Sequence, residues 1–249
     1  MRGYGQYCPI ARGAEIFAER WTPLIVRNLH LGCHTFSEMQ AGAPGIPRSL
    51  LSQRLALLER YGIVERRPNP KGRGSLYYLT ACGQELVDVC EALGRWGARW
   101  LEVTPDHLDP YVMLWGMAKL MDADKLPKQR VVIRFDIPDL PKPKQHFWLL
   151  VQRPEPEVCI KNPGFTEDIV VTATSEWLAK WHMGWLPLSE AQRQGGIRVD
   201  GPAELVRRLP TWAVLSHFAN VAPMRAEIAS RERRASRGVP AAASPQPHV

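Results

Sequence analysis

Seven cations crowd into residues 48–73 (Arg48, Arg54, Arg60, Arg66, Arg67, Lys71, Arg73) against two acids, Glu59 and Glu65. Such an excess suits a polyanionic partner, although a merely solvated face carries charge runs too. Hydrogen-bonding residues are interleaved with the cations. Ser49, Ser52 and Gln53 are of this kind, and the Gln53 amide offers the donor and acceptor pair that fits adenine in a major groove. Arg48, Ser49, Ser52, Gln53, Arg54 and Arg60 are therefore candidate groove contacts, with Lys71 and Arg73 as phosphate contacts on a separate element.

Three other groups could carry chemistry. Cys8 precedes Pro9 where a helix should begin, and the N–H groups of a helix N-terminus favour the reactive thiolate. His30, Cys33 and His34 have zinc-ligand spacing, but they straddle a helix end with no fourth ligand nearby, so no metal is expected. Trp177, Trp181 and Trp185 recur every four residues, so on a helix they share a side, either as packed core or, with Trp148, as the wall of an apolar pocket. Cys82 and Cys90, two helical turns apart, are expected to be buried structural thiols. Neither a nucleotide-binding glycine loop, nor G-x-S-x-G, nor H-E-x-x-H is present, so neither an enzyme nor a cofactor is expected.

The elements that must position the basic cluster follow from spacing. Pro47 suits a first helical position, Leu51, Leu55 and Leu58 recur on one side, and Gly62 supplies the stop. Strands over 63–67 and 75–79 flank a turn-rich stretch with Lys71 and Arg73 at its tip. Upstream, a helix from Pro9 to about Glu19 turns Ile10, Ala14, Phe17 and Ala18 inward. Thr22 caps a second helix that Gly32 ends, and Thr35 introduces a short third over 36–40. Four helices followed by a hairpin make a winged helix-turn-helix.

Cys8-Pro9, Glu19-Arg20-Trp21-Thr22-Pro23, Phe36-Ser37-Glu38-Met39, Leu51-Ser52-Gln53-Arg54-Leu55 and Tyr61-Gly62-Ile63-Val64-Glu65-Arg66 resemble the HxlR family of bacterial transcription regulators over about residues 7–100. The resemblance implies a dimeric winged helix on operator DNA, with helix 47–60 in the major groove. It also implies dimerisation through the N-terminal helix and the helix over 81–101, and, at Cys8, a thiol that senses oxidants in some members. Pro47 departs from the serine usual there, which leaves the helix start, and the residue first in the groove, open to about one residue. Thr80 caps that later helix, whose Leu86, Val89, Leu93, Trp96 and Trp100 form an apolar side beyond what a small core needs.

Proline-broken residues 104–110 mark a boundary, after which strands alternate with helices. Helices are expected over 111–121, 175–183, 187–194 and 202–208, and strands over 129–137, 145–152, 157–161, 168–174 and 196–200. The fold class is α+β: an N-terminal winged helix over 1–104, then an antiparallel sheet covered by helices over 105–224. Val170-Val171-Thr172, Trp181 with Gly184, and Gly195-Gly196-Ile197-Arg198-Val199-Asp200-Gly201-Pro202 are similar to the sterol-carrier-protein-2-like fold, which implies an apolar cavity for a lipid or similar small molecule.

Charge is uneven along the 249 residues, whose net is +7. Residues 1–104 hold 13 Lys/Arg against 9 Asp/Glu, residues 105–224 hold 14 of each, and residues 225–249 hold 5 against 2. The last stretch, rich in Pro, Ala and Ser, reads as a basic disordered tail. No apolar run reaches the roughly 18 residues of a membrane span, and the N-terminus lacks a signal-peptide layout, so a cytoplasmic protein without membrane contact is expected. Together these features point to a homodimeric repressor on double-stranded operator DNA whose second domain takes an apolar small molecule. A lipid carrier whose winged helix no longer reads DNA is the rival.

Overall fold

The computed structural model describes residues 3–70 and 72–224, so Lys71 and the expected tail at 225–249 lie outside the described residues. Helix α1 (Pro9–Phe17) has Cys8 as its N-cap and Pro9 in its first turn, where a missing N–H costs nothing. Ile10 is 82% exposed and Ala18 is exposed too, so the expected inward face shrinks to half-buried Ala14 and Phe17. Nine residues with none buried are too few to hold a helix by local bonds alone.

Helix α2 (Thr22–His30) is capped by Trp21, not by Thr22 as expected. Trp21 takes a left-handed φ of 79°, and Thr22 is buried inside the first turn. A tryptophan in that region is strained by about 1–3 kcal/mol unless its surroundings hold it there, and here its ring packs against the winged-helix core. Helix α3 (Phe36–Ala41) opens on a full capping box: Glu38 N donates to Thr35 Oγ1 (3.2 Å) and Thr35 N to Glu38 Oε2 (2.8 Å). Burial pushes the Glu38 carboxyl up, but these bonds, the Lys119 charge and a bond from His34 N outweigh it and hold the group below the usual range.

Helix α4 (Arg48–Arg60) starts one residue later than expected, with Pro47 as its N-cap. Leu51, Leu55 and Leu58 point into the core, each at most 1% exposed. Strands β1 (Val64–Pro68) and β2 (Ser75–Leu79) pair antiparallel from Val64↔Leu79 to Pro68↔Ser75. Tyr77 N donates to the His34 carbonyl (2.8 Å), and Thr35 bridges Leu76, so the hairpin is stitched to the start of α3. Helix α5 (Ala81–Trp100) is capped by Thr80, whose hydroxyl accepts from Gly83 N and donates to the Gly62 carbonyl.

The C-terminal region contains α6 (Pro110–Leu120), β3 (Val131–Asp136), β4 (His146–Val151) and β5 (Glu157–Cys159). Then come β6 (Ile169–Ala173), α7 (Ser175–His182), α8 (Leu188–Arg193), β7 (Ile197–Asp200) and α9 (Ala203–Trp212). The sheet order is β5-β4-β3-β6-β7, and β6 runs parallel to β3 while the other pairs are antiparallel. The expected antiparallel sheet is therefore mixed. The cause is the return of residues 160–168: β3, β4 and β5 form a meander, and the chain must come back to the starting end of β3 before β6 begins. Glu167 fastens that return by accepting from Trp148 Nε1 and Arg134 Nη1, both at 3.2 Å.

Alternation along the strands divides the side chains. Ile133, Phe135, Phe147, Leu149, Val171 and Ile197 face one way, in a single apolar cluster with Leu114, Met117, Leu178, Trp181, Leu209 and Trp212 of the helices. Val132, Trp148 and Leu150 form a separate small cluster on the other face.

Contacts from α6 and from the segment after α9 join this region to the winged helix. Trp115 of α6 is buried in the winged-helix cluster, beside Asn28 and over Gly42, where any Cβ would collide with its ring. After α9, residues 214–224 lie along α5: the Phe218 ring covers Gly94, His217 Nε2 is 2.9 Å from Glu91, and Met224 N donates to the Arg99 carbonyl (2.9 Å).

Candidate nucleic-acid interface

Because Leu51, Leu55 and Leu58 occupy the buried side of α4, helical periodicity turns Arg48, Ser49, Ser52, Gln53, Ala56 and Arg60 outward, and all six are exposed. Short side chains at 49, 52 and 56 keep the outer surface of α4 low, so the helix backbone can approach base edges closely. Arg60 sits in the last turn, where the helix dipole favours a cation.

Arg48 is held in place at the other end. Its Nη1 donates to Gln40 Oε1 (3.1 Å), and its guanidinium lies 4.8 Å from the centre of the Phe36 ring. Sequence reading missed Gln40 and Phe36, because neither spacing nor charge shows that α3 supports the first residue of α4.

Arg54 is a correction. Its Nη2 donates to Glu19 at 2.5 Å and its side chain is only 15% exposed, so this guanidinium ties α4 to the loop after α1. It faces the protein, not the groove. Position 54 lies three residues after Leu51 and four before Leu58, on the buried side of α4, and Glu19, 35 residues away, holds its guanidinium there.

The hairpin presents Arg66, Arg67 and Arg73 to solvent. Arg66 Nε donates to Ser75 Oγ across the ladder (2.7 Å), while Arg67 pairs with Glu65 and stacks on Tyr78 at 4.6 Å. Both guanidiniums are thereby oriented, which lowers the entropy lost on meeting a phosphate. Arg73, at the tip, is exposed.

Cys8 is exposed at the N-cap of α1 and makes no capping bond with its side chain. Cys82 is exposed as well, against the expectation of a buried thiol, because it lies on the outer side of the first turn of α5. Cys90 is half-buried, its Sγ donating to the Pro23 carbonyl (3.5 Å), and burial pushes its thiol up to about 11. Cys33 is fully buried and burial pushes its thiol up too. His34 Nδ1 meets the Tyr77 carbonyl at 3.0 Å and His30 is exposed, so His30, Cys33 and His34 serve three different surroundings.

The four tryptophans expected to line one pocket are dispersed. Trp148 faces the opposite side of the sheet, Trp177 packs on Gly196, and Trp185 lies beyond the end of α7 and is 42% exposed. Trp181 borders an open groove of about 630 Å³ with Leu186, Leu188, Val206, Pro210, Ala213 and Leu215. Among the described residues its lining includes one cation, Arg207, and no acid. Among the described residues no helix is long and apolar enough to cross a membrane.

The HxlR-like helix-turn-helix family pattern matches residues 16–105. YvaP of Bacillus subtilis, a helix-turn-helix-type transcriptional regulator, is 33% identical over 106 residues, covering 42% of this chain and 96% of that protein. This chain belongs to the HxlR-like family. The regulator YodB of the same organism is 32% identical over 97 residues, covering 38% of this chain and 87% of that protein. Among solved structures, the oxidised redox regulator HypR is similar at 25% identity and a TM-score of 0.34, over 36% of this chain and 94% of that one. HxlR-like relatives are transcriptional regulators, and the family accounts for the winged helix and α5. The region after residue 105 lies outside the family match.

Proposed function

We propose that this HxlR-like chain is a DNA-binding transcriptional repressor that acts as a homodimer, with its C-terminal region taking an apolar small molecule. The carrying observation is the outward side of α4: low, hydrogen-bonding and cationic, with the arginines of the hairpin beside it. Arg48, Ser49, Ser52, Gln53 and Arg60 then approach the major groove, while Lys71 and Arg73 approach flanking phosphates. Dimerisation uses α1, which has no fully buried residue within one protomer, and the α5 stripe of Val89, Leu93 and Trp96, each 45–53% exposed. The ligand reading rests on the groove beside Trp181, not on the four-tryptophan pocket, and the similarity to the sterol-carrier-protein-2-like fold is part of this proposal.

The test is a titration of the full chain against duplex DNA from upstream of its own gene. Log affinity is expected to fall linearly with log salt, by about 0.9 for each phosphate neutralised. Affinity independent of salt, or equal on operator and random duplex, would favour the carrier reading.

Cys8 supports a second reading, a thiol that switches DNA affinity on oxidation. Its support is the exposed thiol at the start of α1, a helix placed in the dimer interface by the first reading. Diamide treatment should change DNA affinity in the native protein and leave Cys8→Ser unaffected; an equal response in both rules out Cys8 as the sensor.

A further inference from the structure

The groove and α5 are joined by one short piece of chain. Ala213 and Leu215 are part of the groove wall. Ser216 N then donates to the His182 carbonyl at the end of α7 (2.7 Å). Ala219 packs against Gly184, another wall residue, whose added Cβ would sit 2.9 Å from that of Ala219. Between them, His217 pairs with Glu91 and Phe218 covers Gly94, so two residues lie on α5 while their neighbours are fixed to the groove. A final backbone bond, Met224 N to the Arg99 carbonyl, anchors the far end.

On α5, Glu91 and Gly94 lie about half a turn away from Val89, Leu93 and Trp96. The helix is therefore held from behind by residues 214–224, with its apolar stripe directed outward. A helix is stiff, so a push on one side displaces the other.

We propose that residues 214–224 are the lever through which groove occupancy sets DNA affinity. An occupant that displaces Leu215 from the wall moves His217 and Phe218 on α5, and α5 alters the angle between the two protomers. Two α4 helices must sit one DNA turn, about 34–36 Å, apart, so a small rotation at α5 misplaces one of them. The ligand then binds the free and DNA-bound forms with different affinity, which is the condition for regulation. The lever rests on the ligand reading above, and the two can fail separately.

The probe is 1-anilinonaphthalene-8-sulfonate, an apolar anion chosen because the groove carries one cation and no acid; its fluorescence reports burial. With the full chain, saturating probe is expected to change operator affinity at least about fivefold, the lower end of allosteric coupling. In a His217→Ala/Phe218→Ala variant the probe should bind as before while the change in operator affinity disappears. Val206→Trp, which fills the groove from its own wall, should reproduce the affinity change without probe, and again only when His217 and Phe218 are present. Absence of probe binding would sink the ligand reading. The lever is overturned if the affinity change survives the double substitution, or if neither probe nor Val206→Trp alters operator affinity.

Discussion

At the scale of single residues, the proposed reading divides α4 into residues that would read DNA and residues that support the helix. Gln53→Ala is expected to flatten preference at one base pair in each half-site, costing about 1–3 kcal/mol there. Arg73→Ala should weaken all sequences alike and lower the salt slope by about 1. Fluorescence anisotropy over single-base operator variants distinguishes them, and equal loss on operator and random DNA for Gln53→Ala would place it outside the groove. Arg54→Ala should act on folding: its part-buried bond to Glu19 is charge-assisted, worth about 1.5 kcal/mol, the lower end for such bonds. Urea denaturation checks this, and an unchanged midpoint would return Arg54 to the DNA contacts. For the thiols, mass spectrometry after brief alkylation of the folded protein should find Cys8 and Cys82 modified, and Cys33 and Cys90 protected by burial. An unmodified Cys8 would end the sensor reading.

Among the elements, α5 carries the strongest expectation. Leu93→Asp or Trp96→Asp places a charge on side chains already about half exposed in the protomer, so folding should be little affected while the dimer separates. Light scattering should show a monomer with unchanged helix content; a persistent dimer would move the interface elsewhere. Elements were legible in the sequence where local bonds define them. Thr35 announced α3, the leucine spacing gave the buried side of α4, and Thr80 marked the start of α5. What stayed hidden depended on distant partners. The direction of Arg54 is set by Glu19, the parallel β3–β6 pairing by the return of residues 160–168, and the separation of Trp148 from Trp181 by the sheet between them. Tryptophan spacing on α7 failed for a simpler reason: the helix ends at His182, before Trp185.

For the whole molecule, His182 links stability to pH. Burial against α6 pushes its imidazole down to about 4 from an ordinary 6.5, so it folds neutral, while the unfolded chain protonates first as pH falls. Stability held above pH 6.5 is thus lost as pH drops towards 4, by an amount on the order of 3 kcal/mol. His182→Gln should flatten melting temperature across that interval; an undiminished slope would assign the effect to other groups. The same α6 carries Trp115 into the winged-helix core, and Gly42 lacks a side chain where that ring lies. The two halves are consequently not interchangeable parts. A winged helix borrowed from a shorter relative would fit this C-terminal region only with glycine at the place of Gly42 and a small amide at that of Asn28. The graft that ignores those two positions should come apart at the seam, however well each half folds by itself.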